Sequence, residues 1–453
     1  MLKTRLILAA LTFLLGTAPG FLPAPASAGA YPGTNGQITY RYENINDPAD
    51  PPLITMNADG SGQAPVSGTA TAKLGGWTSV AYSPDGTKIA YSKYDSAAAG
   101  PWLYVADVNG ANPHRLGYGE AASWSPDGLR LVVGGGDDLS IVNMDGSQAH
   151  VLSNDYLLPA MDPSWSPKGD LIAFSLRDPA DIYNSQIFTI KPDGTELTQI
   201  TDGTHSNFGP SWDPTGEAIL FSSDRDSVPN TYRYDIYAMD PTGSAVVRLT
   251  DTPAQDEYNP VVSPDGNTLL YLSPQSGIGN NLWSTDGATA VDLTPNTDVL
   301  SYSWQPIVST FVYRLSNWRT HERMITINPY EAILAPINDN GWIYEGVTFH
   351  AGTPDLPGAV PVYRLSNWRT HERLFTNSYY EAQMAVANDP GWIYEGPAFY
   401  SIPCSASTTT IYRMANYLTA ERLFTPSKYE VDYAVAHYPG WVDDGVGFCV
   451  PSQ

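Results

Sequence analysis

The side chains best able to do chemistry in this chain are its seven histidines and its carboxylates, 47 Asp and Glu against 23 Lys and Arg. His321 and His371 are each followed by Glu, but no histidine stands four residues further on, so the paired histidines of a zinc-protease helix are missing. The third matching position is Ala420, which marks this histidine position as a surface or packing element. His205 lies in a loop ahead of Trp212 and is the histidine best placed for a ligand, although a lone loop histidine is more often a plain polar residue. No Gly-x-Ser-x-Gly elbow occurs, so the nucleophile of an α/β hydrolase is missing as well. No catalytic residues and no resident cofactor are assigned.

The two cysteines, Cys404 and Cys449, sit near the C-terminus. In an oxidising compartment such a pair becomes one disulfide, and it has too few companions to bind a metal. The N-terminus predicts that compartment. Lys3 and Arg5 precede an apolar run from Leu6 to Leu15, and Ala26-Ser27-Ala28 forms a small-residue cleavage site, so residues 1–28 read as a secretion signal. No later segment is long and apolar enough to span a bilayer, which predicts a secreted, periplasmic or extracellular protein that is not integral to a membrane. A formal charge of −24 and a pI near 4.4 repel phosphate backbones and argue against nucleic acid as a partner.

The elements that position these residues come in repeats. One motif reads Tyr82-Ser83-Pro84-Asp85-Gly86, Trp124-Ser125-Pro126-Asp127-Gly128 and Trp165-Ser166-Pro167-Lys168-Gly169. It continues as Trp212-Asp213-Pro214-Thr215-Gly216 and Val262-Ser263-Pro264-Asp265-Gly266, each copy followed by an alternating apolar stretch. Pro presets φ at the first turn position and Gly tolerates positive φ, so each copy is strand, tight turn, strand. A second turn falls between copies, as in Asp59-Gly60, Asn109-Gly110, Asp145-Gly146, Asp193-Gly194, Thr242-Gly243 and Asp286-Gly287. The resulting four-stranded units predict a mainly β fold, a six-bladed β-propeller over residues 36–308. Gly36 to Tyr40 reads as a second strand with no first strand before it, and Ser303-Trp304-Gln305-Pro306 as a first strand with no second. Joined, they make one blade from both ends and remove an open edge.

These turns resemble the repeats of TolB-type propellers of bacterial envelope proteins. The resemblance implies a periplasmic or extracellular binding platform. Related repeats also form the non-catalytic domain of prolyl oligopeptidase-like peptidases.

A second repeat begins near Val312. Tyr313 to Arg323 is matched residue for residue by Tyr363 to Arg373, and a diverged copy runs from Tyr412 to Arg422. Each continues through a helical segment, a Gly-Trp pair (Trp342, Trp392, Trp441) and a closing strand. The prediction is a pseudo-three-fold, trefoil-like domain with short helices over residues 311–451, its copies at about 312–351, 362–402 and 411–450. The copies resemble an uncharacterised repeat of secreted bacterial and fungal proteins that reads Tyr-Arg, Asn, Thr, His-x-x-Thr and Gly-Trp-x-Tyr-Glu-Gly. This chain carries Arg323, Arg373 and Arg422 where that repeat carries histidine.

In a propeller the motif turns crowd one face and the variable loops share the other, which makes the latter the better place for a site. Its loops hold Asp47, Asp95, Asp137, Asp138, Asp178, Asp181, Asp224 and Asp226, together with Glu120, Asp155, Tyr156, His205, Asn207, Asp256, Glu257 and Tyr258. Such oxygens could hold calcium, but no EF-type or nonapeptide spacing accompanies them, and solvated loop charge explains them as well. His205, Asn207, Asp256, Glu257 and Tyr258 are the candidate ligand residues here. In the C-terminal repeats Asn317-Trp318-Arg319 and Asn367-Trp368-Arg369 are either contacts for a sugar or peptide, or parts that hold the repeat fold. The leading function is a secreted, non-catalytic binding or scaffold protein whose lectin-like module recognises a protein or a cell-surface glycan. The rival is a carbohydrate-active enzyme, a polysaccharide lyase or glycosidase, on the variable-loop face.

Overall fold

The computed structural model describes residues 31–451 except 32, 44–48, 51, 70, 73–78, 96–99, 135–137, 154–159, 179–180, 228–232, 253–254, 276–278, 308–309, 321–322, 328, 353–357, 371, 406–407 and 420. The signal expected at residues 1–28 lies outside them, as do Asp47, Asp137, Asp155, Tyr156, His321 and His371.

The motif turns form for reasons visible in their hydrogen bonds. Ser83 Oγ donates to Asp85 Oδ1 at 2.6 Å, Asp85 Oδ1 accepts from Thr87 N at 3.1 Å, and Lys88 N returns to Ser83 Oγ at 2.9 Å. Ser125 with Asp127 and Ser263 with Asp265 repeat this arrangement. Gly86 has φ +67°, and a Cβ there would meet the Pro306 carbonyl oxygen at 2.0 Å, so only glycine fits. In the second turn Asp59 and Asp193 each accept from the backbone N–H two residues on, at 2.9 Å. These carboxylates are spent on their own turns.

The turns join strands into antiparallel sheets of four. The sheets begin with Val80–Tyr82, Ala121–Trp124, Met161–Trp165, Asn207–Trp212 and Tyr258–Val262, and each runs on in sequence order. A further four-stranded sheet takes strands from both ends of this part of the chain. Asp298–Ile307 pairs with Thr34–Glu43, which pairs in turn with Ile54–Met56. Its register sets Tyr40 against Tyr302 and Ile38 against Trp304.

Neighbouring sheets share apolar cores. Ile38, Met56, Leu272, Leu282, Val299 and Trp304 close one, and Ala173, Ile187, Trp212, Phe221 and Met239 another. Polar stitches join the first strands of adjacent sheets. Ser123 Oγ accepts from Trp165 N at 3.0 Å and Ser303 Oγ from Tyr82 N at 3.1 Å, while Ser222 Oγ, on a second strand, accepts from Asn259 N at 3.0 Å. Trp124 Nε1 donates to the Ala81 carbonyl at 3.2 Å and Trp212 Nε1 to that of Ser164 at 3.1 Å. These bonds satisfy buried donors that a purely apolar contact would strand.

Three of the first strands carry a bulge with no counterpart among the expectations. Asp162, Gly209 and Asn259 each precede a proline, have φ between +51° and +62°, and break the register with the second strand. Crowding by the surrounding chain pushes the Asp162 carboxyl up to about 6, against the opposing pull of Arg177 and the Gly209 N–H.

The chain divides between Val308 and Ser309 into two compact units. The second contains three three-stranded sheets of one pattern, with Thr310–Asn317, Val360–Asn367 and Thr408–Asn416 as the central strands. Each sheet has one ten-residue helix, Pro329–Asn338, Tyr379–Asn388 or Lys428–His437. Ser378 and Ser427 cap the second and third helices by accepting from Glu381 N and Glu430 N. Val312, Phe349, Val362, Phe399, Ile411 and Phe448 from all three sheets share one core. Trp342, Trp392 and Trp441 are half-buried: Trp392 and Trp441 cover the small clusters under the second and third helices.

The sheets are also linked by charge. Thr326, Thr376 and Thr425 donate to Glu331, Glu381 and Glu430. Each of these glutamates also pairs with an arginine of another copy: Glu331 with Arg364, Glu381 with Arg413 and Glu430 with Arg314. The links run from first copy to second, second to third and third back to first. Cys404 and Cys449 form a disulfide across 45 residues of chain.

Two measurements follow from this architecture. Replacing both cysteines (Cys404→Ser with Cys449→Ala) removes a cross-link worth roughly 2–4 kcal/mol. Denaturant unfolding of the C-terminal unit then shifts to lower midpoint, and reductant has no further effect; an unchanged midpoint would refute the contribution. Asp162 has a folded pKa above its unfolded value, so its contribution is present below about 4 and lost as pH rises through about 6. Because the side chain is solvent-exposed, the effect is held below about 1 kcal/mol by screening. Asp162→Asn, which tolerates the same φ, is expected to raise Tm by about 1–3 °C near pH 7.5 and to leave it unchanged near pH 4.

Candidate functional site

On the first unit, the loops between consecutive sheets bring several of the candidate residues into one polar network. His205 leads it: its carbonyl accepts from Gln186 Nε2 and from Asn207 Nδ2, both at 2.7 Å. The ring Nδ1 lies 2.8 Å from Thr204 Oγ1, and the side chain is half-buried. Asn207 is fully buried, its Oδ1 accepting from Arg225 Nη2 at 2.9 Å. It therefore fastens the His205 loop to the strand pair below and presents no free group to solvent. Arg225 stacks over Phe221 and Tyr237, at 5.0 Å from each ring centre, which fixes its direction.

The network continues toward the next sheet. Ser206 N donates to Asp224 Oδ1 at 2.9 Å, and Asp256 Oδ1 accepts from Tyr234 N at 3.1 Å. Phe208 lies between Tyr234 and Tyr258, with ring centres 5.0 and 6.5 Å away. The Tyr258 hydroxyl donates to Asn280, and burial pushes its pKa up to about 12. Asp256 and Tyr258 are thus half-buried members of a wall of three aromatic rings.

Glu257 faces the other way. Only 1% of it is exposed, and burial raises its carboxyl pKa against the hydroxyls of Thr250 and Thr252. Nearby, Arg248 bridges Asp235 at 2.8 Å and Asp251 at 2.9 Å, and the Tyr237 hydroxyl donates to Asp226 at 2.8 Å. A loop glutamate and a loop aspartate at adjacent positions look alike in sequence, but alternation of the chain buries one and leaves its neighbour at the surface. Among the described residues no group of three or more His, Cys, Asp or Glu is placed to hold a metal ion.

In the second unit the Asn-Trp-Arg sets separate into two parts. The asparagines are interior: Asn317 is 2% exposed, accepts from Arg319 N and Thr320 N, and donates to Asp339 at 2.9 Å. Asn367 repeats each of these bonds with Arg369, Thr370 and Asp389. The tryptophans are on the surface, Trp318 59% and Trp368 60% exposed, with Arg319 and Arg369 stacked 4.9 and 5.0 Å from their ring centres. Each arginine also faces the aspartate that holds the turn, Asp339 at 3.6 Å and Asp389 at 3.7 Å. The third copy has Tyr417 and Leu418 here, both largely exposed.

One further set, not among the candidates, lines a pocket in this unit. Arg323, Arg373 and Arg422 occupy matching positions on the short strands Arg323–Thr326, Arg373–Thr376 and Glu421–Thr425. Their alignment was readable from the repeat, whereas their convergence depends on how the three sheets pack.

Two known families match the chain, over stretches that overlap at residues 302–329. Residues 139–329 match the TolB beta propeller domain family, and residues 302–451 match a family described as a domain of unknown function, DUF5648. The chain is 29% identical over 171 residues to an uncharacterised protein of Agrobacterium fabrum, covering 34% of this chain and 55% of that one. It is 26% identical over 250 residues to the Tol-Pal system protein TolB of Francisella tularensis, covering 45% of this chain and 51% of that one. The chain therefore spans about half the length of these two curated relatives. The crystal structure of TolB from Acinetobacter baumannii aligns at TM-score 0.50 and 22% identity, covering 60% of this chain and 67% of that one. No helix among the described residues is long and apolar enough to cross a membrane. The protein is mainly β, with a TolB-type propeller region followed by a region that matches a domain of unknown function.

Proposed function

We propose that this is an extracytoplasmic, non-catalytic binding protein. In this reading residues 1–28 are a cleaved signal, residues 36–308 close as six blades, and residues 311–451 form a trefoil-like, lectin-like module of three copies. The observation that carries it is the pair of exposed, stacked Trp-Arg sets, Trp318 with Arg319 and Trp368 with Arg369, held identically in two copies. A tryptophan ring in water is costly unless it meets a partner, and here each is held in place by its arginine and by the buried asparagine beneath it. A flat apolar ring flanked by a guanidinium and a carboxylate matches a sugar, with one apolar ring face and hydroxyls at its rim. The TolB-type fold of the first unit supports a platform role. His205, Asp256 and Tyr258 form its candidate contact surface, while Asn207 and Glu257 support that surface from below.

The mature chain is expected to bind immobilised neutral polysaccharide on a glycan array. The double substitution Trp318→Ala with Trp368→Ala weakens that binding by at least about tenfold, or ~1.4 kcal/mol. Both residues lie on the surface, so the melting profile stays unchanged. Equal binding by the double variant would refute the module as the glycan site, and polysaccharide turnover that His205→Ala abolishes would refute a non-catalytic role.

A further inference from the structure

The pocket between the three short strands of the second unit is small and is lined by Arg323, Arg373 and Arg422 over a floor that includes Ile325, Phe375 and Phe424. The Nε atom of each of these three arginines is buried and has no hydrogen-bond partner. Their carboxylate neighbours only partly compensate. Arg323 Nη1 lies 3.7 Å from Glu345, which also serves Arg314 at 2.5 Å. Arg422 reaches Glu372 at 3.8 Å and Asp444 at 4.0 Å, and Asp444 also faces Arg413 at 3.8 Å. Among the described residues Arg373 has no ion pair. Three guanidiniums from matching positions thus converge with donors unspent, in a chain whose overall charge is −24.

We infer that this pocket is a receptor for a tetrahedral oxyanion, a sulfate or phosphate group carried as an ester on a larger molecule. Guanidinium donors form a rigid planar fork that matches the oxygens of such a group, and three forks from three sides match its three terminal oxygens. The apolar floor favours the ester over free solvent, because it excludes water from one side of the charge-assisted bonds. The site is separate from the exposed Trp-Arg sets, and the inference stands whether or not those bind a sugar.

The test uses the full chain in thermal unfolding and calorimetry at matched ionic strength, with sodium chloride, sodium sulfate, sodium phosphate and a monosaccharide sulfate as probes. Saturable stabilisation of the C-terminal transition by sulfate or phosphate, absent with chloride, is expected. Tighter binding of the sugar sulfate than of inorganic sulfate identifies the ester as the preferred source, and the reverse order would overturn the ester assignment. Arg373→Gln is expected to weaken oxyanion binding by tenfold or more. In chloride alone the same variant keeps or gains stability, because it removes one of three like charges. A variant that is destabilised in chloride would mean that Arg373 serves only the fold and would overturn the proposal. Stabilisation by sulfate that persists unchanged in Arg373→Gln, or that never saturates, would overturn it as well.

Discussion

The first unit depends on the antiparallel pairing of Thr34–Glu43 with Asp298–Ile307. Every other four-stranded sheet is assembled from consecutive strands and could form locally. This one waits for chain ends more than 250 residues apart in sequence to meet, and the entropy of closing such a loop is recovered only when the register locks. Until then the apolar faces of Ile38, Met56, Leu272 and Trp304, drawn from three regions of the chain, lack their common core. The loops that carry His205, Asp256 and Tyr258 are held by neighbouring sheets, so their geometry inherits its rigidity from that closure.

The second unit meets the same requirement differently. Among the described residues its three sheets share no strand, only the single bridges Gly352 to Tyr400 and Ile402 to Cys449; the glutamate of each helix reaches the arginine of a neighbouring central strand. Each such glutamate is also bound by the threonine five residues before it, which fixes the carboxylate toward the neighbour. A partly exposed ion pair contributes little alone, but a closed set with pre-oriented partners has less side-chain entropy to lose. The phenylalanines from all three copies supply the apolar part of that contact.

Much of this was legible in the sequence because turn chemistry is demanding. Proline, aspartate and glycine at fixed offsets admit few conformations, so Ser83 to Gly86 announced its turn, and Ser303-Trp304 announced a strand in need of a partner. The direction of loop side chains was not legible. Asn207 and Glu257 stood among exposed polar residues in sequence, yet Asn207 is consumed by scaffold bonds and Glu257 is buried. The bulges at Asp162, Gly209 and Asn259 left only a following proline as their mark, which is too common a signal to read. In the repeats the Asn-Trp-Arg motif looked like one functional unit, whereas its asparagine faces inward and its tryptophan outward. Convergence of Arg323, Arg373 and Arg422 is a property of packing, which no spacing along the chain records.

The closing strand pair also governs how the first unit would respond to pulling. Thr34 lies opposite Ile307, while Glu43 lies opposite Asp298 at the far end of the pair. The chain therefore enters and leaves at the same end of this ladder. Tension applied through the two ends would peel the rungs apart one after another, a weaker arrangement than loading them all in shear.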